Sequence, residues 1–480
     1  LWVSDVGEYS WESICRVQRG GNYGWSRWEG GHEFWPHGKL GPGRLMQPAA
    51  SHQHSQCSAI VGGFVYHGHR FPELAEHYLY ADFSFGDIYA LSIAHEEQGP
   101  KTIAKSIQAK IVALAEGDDG QIYLFSVDGG MHRLDVAEKG KSSLPPFPRK
   151  LSETGLFASV RDHQMQPGCI PYSVNSQLWS DGATKRRFIA VPEQGVIVSN
   201  PGFRFPDNTV LVKTFSFPIE QHDNRNEQFI ETRLLHVQQG QWRGYSYRWN
   251  DQQDDAELVD EAGASQALEL HDRSGKLLKQ VWRFPSRNEC FGCHTGNAGF
   301  VLGFTTPQLN RDHDYGAVRD NQLRTLSHLG LVKGIWTRRH AYGYLPLDPA
   351  RALPRLAAAT DDHEPLEARA RAYLQTNCAH CHLYFGSVGE AAAPFYRKLS
   401  GHLPAHMTRL DIAPSKGDLG IKDARIIAPG APERSMIYSR MTTVGHGRMP
   451  NIGSAVVDED GSKLVADWIR SLAPSYFEDR

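Results

Sequence analysis

Two short runs constrain this chain more than any other part of it: Cys290-Phe291-Gly292-Cys293-His294 and Cys378-Ala379-His380-Cys381-His382. Each places two thiols three residues apart and follows them directly with an imidazole, the C-x-x-C-H spacing of covalent haem attachment. In such a site the two sulfurs add across the haem vinyl groups, and the adjacent histidine binds the iron. The competing readings are a structural zinc knuckle and a thioredoxin-like redox pair. Zinc would want four Cys/His ligands per site, and no second C-x-x-C flanks either run. Cys290, Cys293, Cys378 and Cys381 are therefore expected to carry two c-type haems, with His294 and His382 as iron ligands.

The rest of the chain must build pockets for these groups. At 480 residues it is too long for a single core, so two to four domains are expected. Hydrophobic content of 40% and charged content of 22% are those of an ordinary folded protein. A formal net charge of −3 gives no reason to expect nucleic acid or an anionic membrane as partner. No apolar run approaches the roughly 20 residues of a membrane helix. The numbering opens at Leu1 without methionine or a charged, then apolar, leader, so a removed signal peptide is expected upstream. Covalent haem attachment takes place outside the cytoplasm, which predicts a periplasmic or secreted protein in which disulfides are permitted. Of the cysteines outside the two runs, Cys15 and Cys57 are the preferred pair, and Cys169 is left odd.

Residues 1–138 read as β-structure. Short apolar-aromatic runs at 59–66, 78–83, 88–91, 122–125 and 131–134 are separated by glycine turns. A more specific series runs from Asp5-Val6-Gly7 and Trp11-Glu12 through Gly20-Gly21-Asn22-Tyr23-Gly24-Trp25 and Glu29-Gly30. It continues with Gly62-Gly63-Phe64-Val65-Tyr66, Phe71-Pro72-Glu73-Leu74, Tyr78-Leu79-Tyr80-Ala81-Asp82 and Gly117-Asp118-Asp119-Gly120-Gln121-Ile122-Tyr123. This segment resembles the C-terminal blades of the glucose/sorbosone dehydrogenase family, six-bladed β-propellers that often bind pyrroloquinoline quinone and calcium. At about 40–50 residues per four-stranded blade, only about three blades fit. An open part-propeller leaves unpaired strand edges, so further blades are expected from the same or another chain. In that family the catalytic histidine and most quinone ligands lie upstream of these blades, so the resemblance assigns a quinone or calcium site to no residue here. His52, His54, His67 and His69 are read as histidines on solvated loops.

A Lys/Ser/Pro-rich linker follows at 139–150. Residues 151–345 then return to strands, at 188–191, 195–198, 209–217, 231–238, 244–249 and 279–284, separated by Gly/Asn/Asp turns. This predicts a mostly antiparallel β-rich domain that carries the first haem. The residues after His294, through Asn321–Leu326, look helical, with Leu323, Leu326 and Leu329 on one side. Landmarks including Leu151–Phe157, Pro171–Asn175, Leu178–Ala183, Glu231–Leu235, Tyr247–Asn250, Leu302–Phe304 and Gln308–Arg311 resemble a largely uncharacterised bacterial two-haem family. That likeness runs on to the C-terminus. A weaker one is to the cytochrome P460 type, through Phe205–Lys213. For the sixth ligand of the first iron, His163, Met165, His222, His236 and His313 are all candidates, and no spacing selects one.

Residues 348–365 read as a second connection, and 365–475 as a small helical domain. Leu366–Thr376 is Ala/Arg/Leu-rich and runs straight into Cys378. Asp458–Leu472 places Leu464, Val465, Trp468, Ile469 and Leu472 on one stripe. A proline-led short helix from Pro432 to about Met441 lies between them. Helix, C-x-x-C-H, loops and a terminal Trp-containing helix resemble a class I cytochrome c domain. The family comparison then makes Met449, in His446-Gly447-Arg448-Met449-Pro450, the sixth ligand opposite His382. Thioether sulfur favours ferrous iron, so that site is expected to have the higher potential.

The expected architecture is thus multidomain: a partial β-propeller, an antiparallel β-rich haem domain and an α-helical class I cytochrome c domain. The expected function is electron transfer by an extracytoplasmic dihaem protein, from a dehydrogenase-like propeller to a redox partner protein or other acceptor. Two alternatives stand beside it: a haem enzyme acting at an open face of the first haem, and a propeller that serves as a binding platform without quinone.

Overall fold

The structure is a computed structural model. It describes residues 1–8, 11–34, 38–54, 56–84, 86–105, 110–127, 129–136, 146–199, 202–218, 227–271, 277–296, 298–335, 353–382, 411–414, 417–445 and 447–472. The chain forms two compact units, one of Leu1–Phe147 with Asn288–Gly292, the other of Pro148–Arg287 with Cys293–Arg480. The segments 151–345 and 365–475 fall in the second, except Asn288–Gly292, which belong to the first. Among the described residues no helix is long and apolar enough to cross a membrane.

The first unit is built on three antiparallel sheets. Trp2–Asp5, Trp11–Arg16 and Ala50–Gln53 make the first, Ile60–Tyr66, His77–Asp82, Ile88–Ser92 and Lys101–Ala104 the second, and Ile111–Glu116, Ile122–Ser126 and Met131–Arg133 the third. The second sheet is covered on both faces, as its period-2 pattern requires. Tyr78, Tyr80, Tyr89 and Leu91 pack with Ile14, Cys57 and Ile60 of one core. Their neighbours Leu79, Ala81, Ile88 and Ala90 pack with Ile111, Leu114, Ile122 and Leu124 of another. Gly62 and Gly63 sit where the register slips between Val61 and Phe64. A Cβ on Gly63 would overlap the Leu79 carbonyl, so the slip needs glycine.

Cys15 and Cys57 are both buried free thiols, which overturns the expected disulfide. Each has a separate polar neighbour, Ser13 for Cys15 and the buried Asp82 carboxylate for Cys57. Asp82 also accepts the Ser58 and Ala59 N–H groups at 2.7 and 3.0 Å, fixing the turn that carries Cys57. His52 and His54 are not loop histidines in water either. His52, 6% exposed, lies 2.7 Å from the Tyr80 hydroxyl. His54 Nε2 lies 2.7 Å from the fully buried Glu12 carboxylate. His67 and His69 are exposed, as read.

The second unit is organised on a six-stranded antiparallel sheet. Its strands are Cys169–Pro171, Thr184–Ala190, Val210–Pro218, Glu227–Gln238, Gln241–Trp249 and Ala256–Leu258, in that spatial order. A hairpin, Ala264–His271 with Leu277–Phe284, places Trp282 and Phe284 against Phe215, Phe217 and Ile230. After His294 the chain is not helical until late. The described residues of the Gly-rich stretch 295–305 form turns, and among the described residues up to 335 helix is confined to Thr306–Leu309 and Gln322–His328. Leu323 and Leu326 are buried, but Leu329 caps the helix and is 52% exposed.

The helical part of this unit follows the sequence closely. Leu366–Asn377 and Glu459–Ser471 cross through Ala370, Tyr373 and Leu374 on one side and Leu464, Val465, Trp468 and Ile469 on the other. They approach closely because Gly461 has no side chain. A Cβ there would overlap the Tyr373 ring. The Tyr373 hydroxyl donates to Asp458, the residue whose carboxylate also caps the second helix through Gly461 N–H. Trp468, 2% exposed, is the largest side chain in this contact, and truncation to Ala would cost about 3–5 kcal/mol.

Candidate functional site

The first thiol pair lies on the helix Arg287–Cys293, so Cys290 and Cys293 are one turn apart on one helical edge. His294 follows at the helix end and is half-buried. Its Nδ1–H donates to the Phe300 carbonyl at 2.5 Å, since a carbonyl can only accept. That bond fixes the tautomer and leaves Nε2 with a lone pair, the arrangement that orients a metal-binding imidazole. Burial, then the charge of Lys213, holds the ring's pKa down to about 3, so it is neutral and ready to ligate. The turn Thr295–Phe300, which brings the carbonyl back, is what the glycine-rich sequence after the motif is for.

The second pair follows the helix Leu366–Asn377. Cys378 N–H donates to Leu374 O, and the Cys381 and His382 N–H groups both donate to Cys378 O at 3.2 and 3.1 Å. The motif thus continues the helical turn and presents its thiols and imidazole together. Arg440 connects it to the Met449 loop. Its carbonyl accepts the Met449 N–H at 2.9 Å, its guanidinium donates to Gly447 O, and its charge reaches His382. Met449 is half-buried, while His446 lies outside the described residues.

The two motifs meet. Ligand atoms of Cys293, His380 and Cys381 all lie within 4.8 Å of one another. Two thiols and an imidazole could hold a soft cation such as zinc, but two of the three are motif cysteines, whose spacing and following histidines fit covalent haem better. The groups whose charges reach His294 are Lys213, His380 and Arg233. His163 does not share this place. It stacks on Phe229 and Trp249 and contacts Phe188, on the sheet face opposite Arg187 and Lys213. His236 alternates onto that same far face, with Thr232 and Leu234. His313 bonds Ser173 Oγ at 2.9 Å in a separate hairpin, and Met165 pairs with Phe157. His222 lies outside the described residues.

The near face of the sheet is unexpectedly cationic. Lys185, Arg187, Lys213 and Arg233 project there, and Glu231, fully buried, is the carboxylate among them. Arg233 binds both Glu231 oxygens at 2.8 Å, and Trp282 Nε1 and Ser246 Oγ donate to it as well. Burial pulls the Lys213 ammonium down to about 7, with Arg187 and Arg233 adding to the effect. A cavity of about 250 Å³ opens over this face, lined by Arg187, Lys213, Ser176, Gln308, Thr376 and His380 among others.

Residues either side of the cavity are tied together by polar bonds. Trp179 N–H donates to Asn377 Oδ1 at 2.7 Å and its indole N–H to Val456 O at 2.9 Å. Asp181 accepts both the Ala455 and Val456 N–H groups at 2.8 Å. Gln308 donates to Ser176 O and to Thr376 Oγ1. The sequence landmarks around Trp179 and Gln308 therefore fasten the β-sheet part to the haem-motif helix.

Comparison with known proteins bears on the first unit. Residues 1–133 match the family model described as Glucose / Sorbosone dehydrogenase, so this β-rich segment is similar to that family. Two curated relatives come from Arabidopsis thaliana. The HIPL2 protein is 28% identical over 148 residues, 26% of this chain and 21% of that protein. The HIPL1 protein is 29% identical over 99 residues, 18% of this chain and 14% of that protein. The chain thus spans about a fifth, or less, of the length of these relatives. Among solved structures, the apo-form soluble aldose sugar dehydrogenase from Escherichia coli is similar at 19% identity and a TM-score of 0.23, over 28% of this chain and 39% of that one.

Proposed function

We propose that this chain is an extracytoplasmic dihaem c-type protein that transfers electrons from a dehydrogenase-like propeller to a redox partner. The observation that carries the reading is the meeting of the two C-x-x-C-H motifs, with ligand atoms of Cys293 and Cys381 within 4.8 Å of each other. Haem, when bound, supplies a one-electron iron couple at each motif. Cys290 and Cys293 would hold one and Cys378 and Cys381 the other, with His294 and His382 as ligands. The chain's own part is orientation. Phe300 O holds His294 in the ligating tautomer, and Arg440 ties the Met449 loop to the surroundings of His382. Met449 as thioether ligand, and residues 365–475 as a class I cytochrome c domain, belong to this reading. So does a periplasmic or secreted location, because haem is attached there.

The propeller segment supports a dehydrogenase-type donor through its family match alone. Pyrroloquinoline quinone and calcium are the cofactors that match suggests, and no described residue is assigned to them. A second reading is favoured by the cavity beside His380 and Lys213: a small molecule reacting at an open face of the first haem.

Expression with a c-type maturation system tests both. Mass spectrometry should show two covalent haems per chain, reduced to one when both cysteines of either motif are replaced by Ser (Cys290→Ser with Cys293→Ser, or Cys378→Ser with Cys381→Ser). Tightly bound zinc in a haem-free chain would overturn the proposal. Carbon monoxide added to the reduced protein separates the two readings. An unchanged spectrum favours pure electron transfer, and a shifted Soret band favours catalysis at the first iron. Quinone reconstitution of the full-length protein with sugars as substrates tests the donor, and absence of turnover leaves the propeller as a platform.

A further inference from the structure

The near face of the central sheet holds more positive charge than its own carboxylates balance. Lys185, Arg187, Lys213 and Arg233 are in register on adjacent strands, Arg187 opposite Lys213 and Lys213 opposite Arg233. Glu231 is committed, with both oxygens on Arg233 and further bonds from Trp282 and Ser246. Asp181 is committed to the backbone N–H groups of Ala455 and Val456. Among the described residues, no carboxylate stands within salt-bridge distance of Arg187 or Lys213. Arg187 is only 8% exposed, and among the described residues its guanidinium makes a single long hydrogen bond, 3.5 Å, to Lys185 O. Buried cations without a counter-ion are costly, and an incoming anion relieves that cost.

The cavity adds direction to this charge. Arg187 and Lys213 are the cations that line its 250 Å³, and Ser176, Thr376 and Gln308 add neutral polar groups. That volume suits a carboxylate and its immediate neighbours rather than a whole porphyrin. The charge of Cys293 reaches Lys213, so the cavity lies beside the first haem-attachment motif.

We propose that Arg187 and Lys213 form a carboxylate-binding pair beside the first haem site. Two sources share this chemistry: the propionate groups of the first haem, or a small free carboxylate entering the cavity. Guanidinium and carboxylate match as a planar two-bond fork, and the ammonium adds a second point charge. The inference rests on the dihaem reading. Haem counting by mass is therefore done first, and a haem-free chain would refute that reading before this one is tested.

The test uses the mature dihaem protein with Arg187→Gln, Lys213→Gln and Lys213→Arg, each checked for two haems and an unchanged far-ultraviolet spectrum. With propionate as the occupant, the propionate bending band in the resonance Raman spectrum moves in both Gln variants and is restored in Lys213→Arg. The first haem then also becomes easier to oxidise. We expect at least a tenfold change in its ferrous-to-ferric ratio at fixed potential, equivalent to a 59 mV shift for one electron. With a free carboxylate as the occupant, added acetate shifts the wild-type potential saturably, and Arg187→Gln abolishes the response. Unchanged Raman bands and potentials in the Gln variants, together with no acetate response in the wild type, would overturn the proposal.

Discussion

His163 offers a test in which the sign and size of the effect both follow from its surroundings. Its ring is 5% exposed, stacked on Phe229 and Trp249 and edge-on to Phe157. Neither ring nitrogen has a hydrogen-bond partner beyond its own backbone. An imidazole has at least one N–H, so a donor is buried unsatisfied, at about 1–3 kcal/mol. Burial, and then the charge of Arg186, lowers its pKa to about 4. The folded value lies below the unfolded 6.5, so the unfolded chain takes up the proton first as pH falls. The associated stability is intact above about pH 6.5 and drains away toward pH 4. By pH 5 the loss is about 2 kcal/mol, from a shift of 1.36 kcal/mol per unit. His163→Phe removes both penalties while keeping an aromatic ring in an aromatic box. The backbone there is left-handed, φ 49°, which strains either residue similarly. Urea unfolding at pH 7.5 and pH 5.0 is the assay, read as the midpoint at constant m-value. The variant should be at least as stable as wild type at pH 7.5, and its advantage should grow by about 2 kcal/mol at pH 5.0. Parallel pH dependences would show that His163 is not a neutral buried ring in the folded state.

Other perturbations have equally direct outcomes. Glu231→Gln keeps the shape but removes the counter-charge of Arg233, and should lower stability by about 3 kcal/mol in the same unfolding assay. Asn377→Ala breaks the bonds to Trp179 N–H and Tyr373 O, leaving a partly buried amide unpaired. We expect a loss of about 2 kcal/mol, with both haems still attached by mass. On the dihaem proposal, Met449→Ala should lower the potential of the haem at Cys378 and Cys381 in a redox titration, because a thioether favours ferrous iron. An unchanged potential would remove Met449 from the ligand set.

Most strands and helices were legible because their patterns had a single solution. Tyr78-Leu79-Tyr80-Ala81 is apolar at every position and is buried on both faces, between two sheets. Leu464, Val465, Trp468 and Ile469 fall on one helical stripe and pack as that stripe requires. The near face of the larger sheet was not legible. In Val210–Phe215 alternation shows two faces without saying which, if either, is wet. Lys213 reads as a solvent residue, and only tertiary cover makes it a cavity wall. His380 was hidden differently. As a variable position inside its own motif it carries no signal, and its approach to Cys293 depends on contacts nearly ninety positions apart. The helix expected after His294 failed because Gly296, Gly299 and Gly303 punctuate that stretch, the latter two with positive φ. One clue was present all along. Trp179, Asp181 and Gln308 stood out as landmarks before their role as fasteners could be known.

Those fasteners bear on how the chain can be divided. Bonds from Trp179, Asp181 and Gln308 reach Asn377, Thr376, Ala455 and Val456 across stretches of chain that sequence alone would cut apart. A fragment starting near Pro365 would lose the acceptor for both the Ala455 and Val456 N–H groups and the donors to Asn377 and Val456. Gene-level shuffling that swaps only the last hundred residues would break the same bonds. The inheritable module here is the sheet and the helices together, because neither keeps its polar partners without the other.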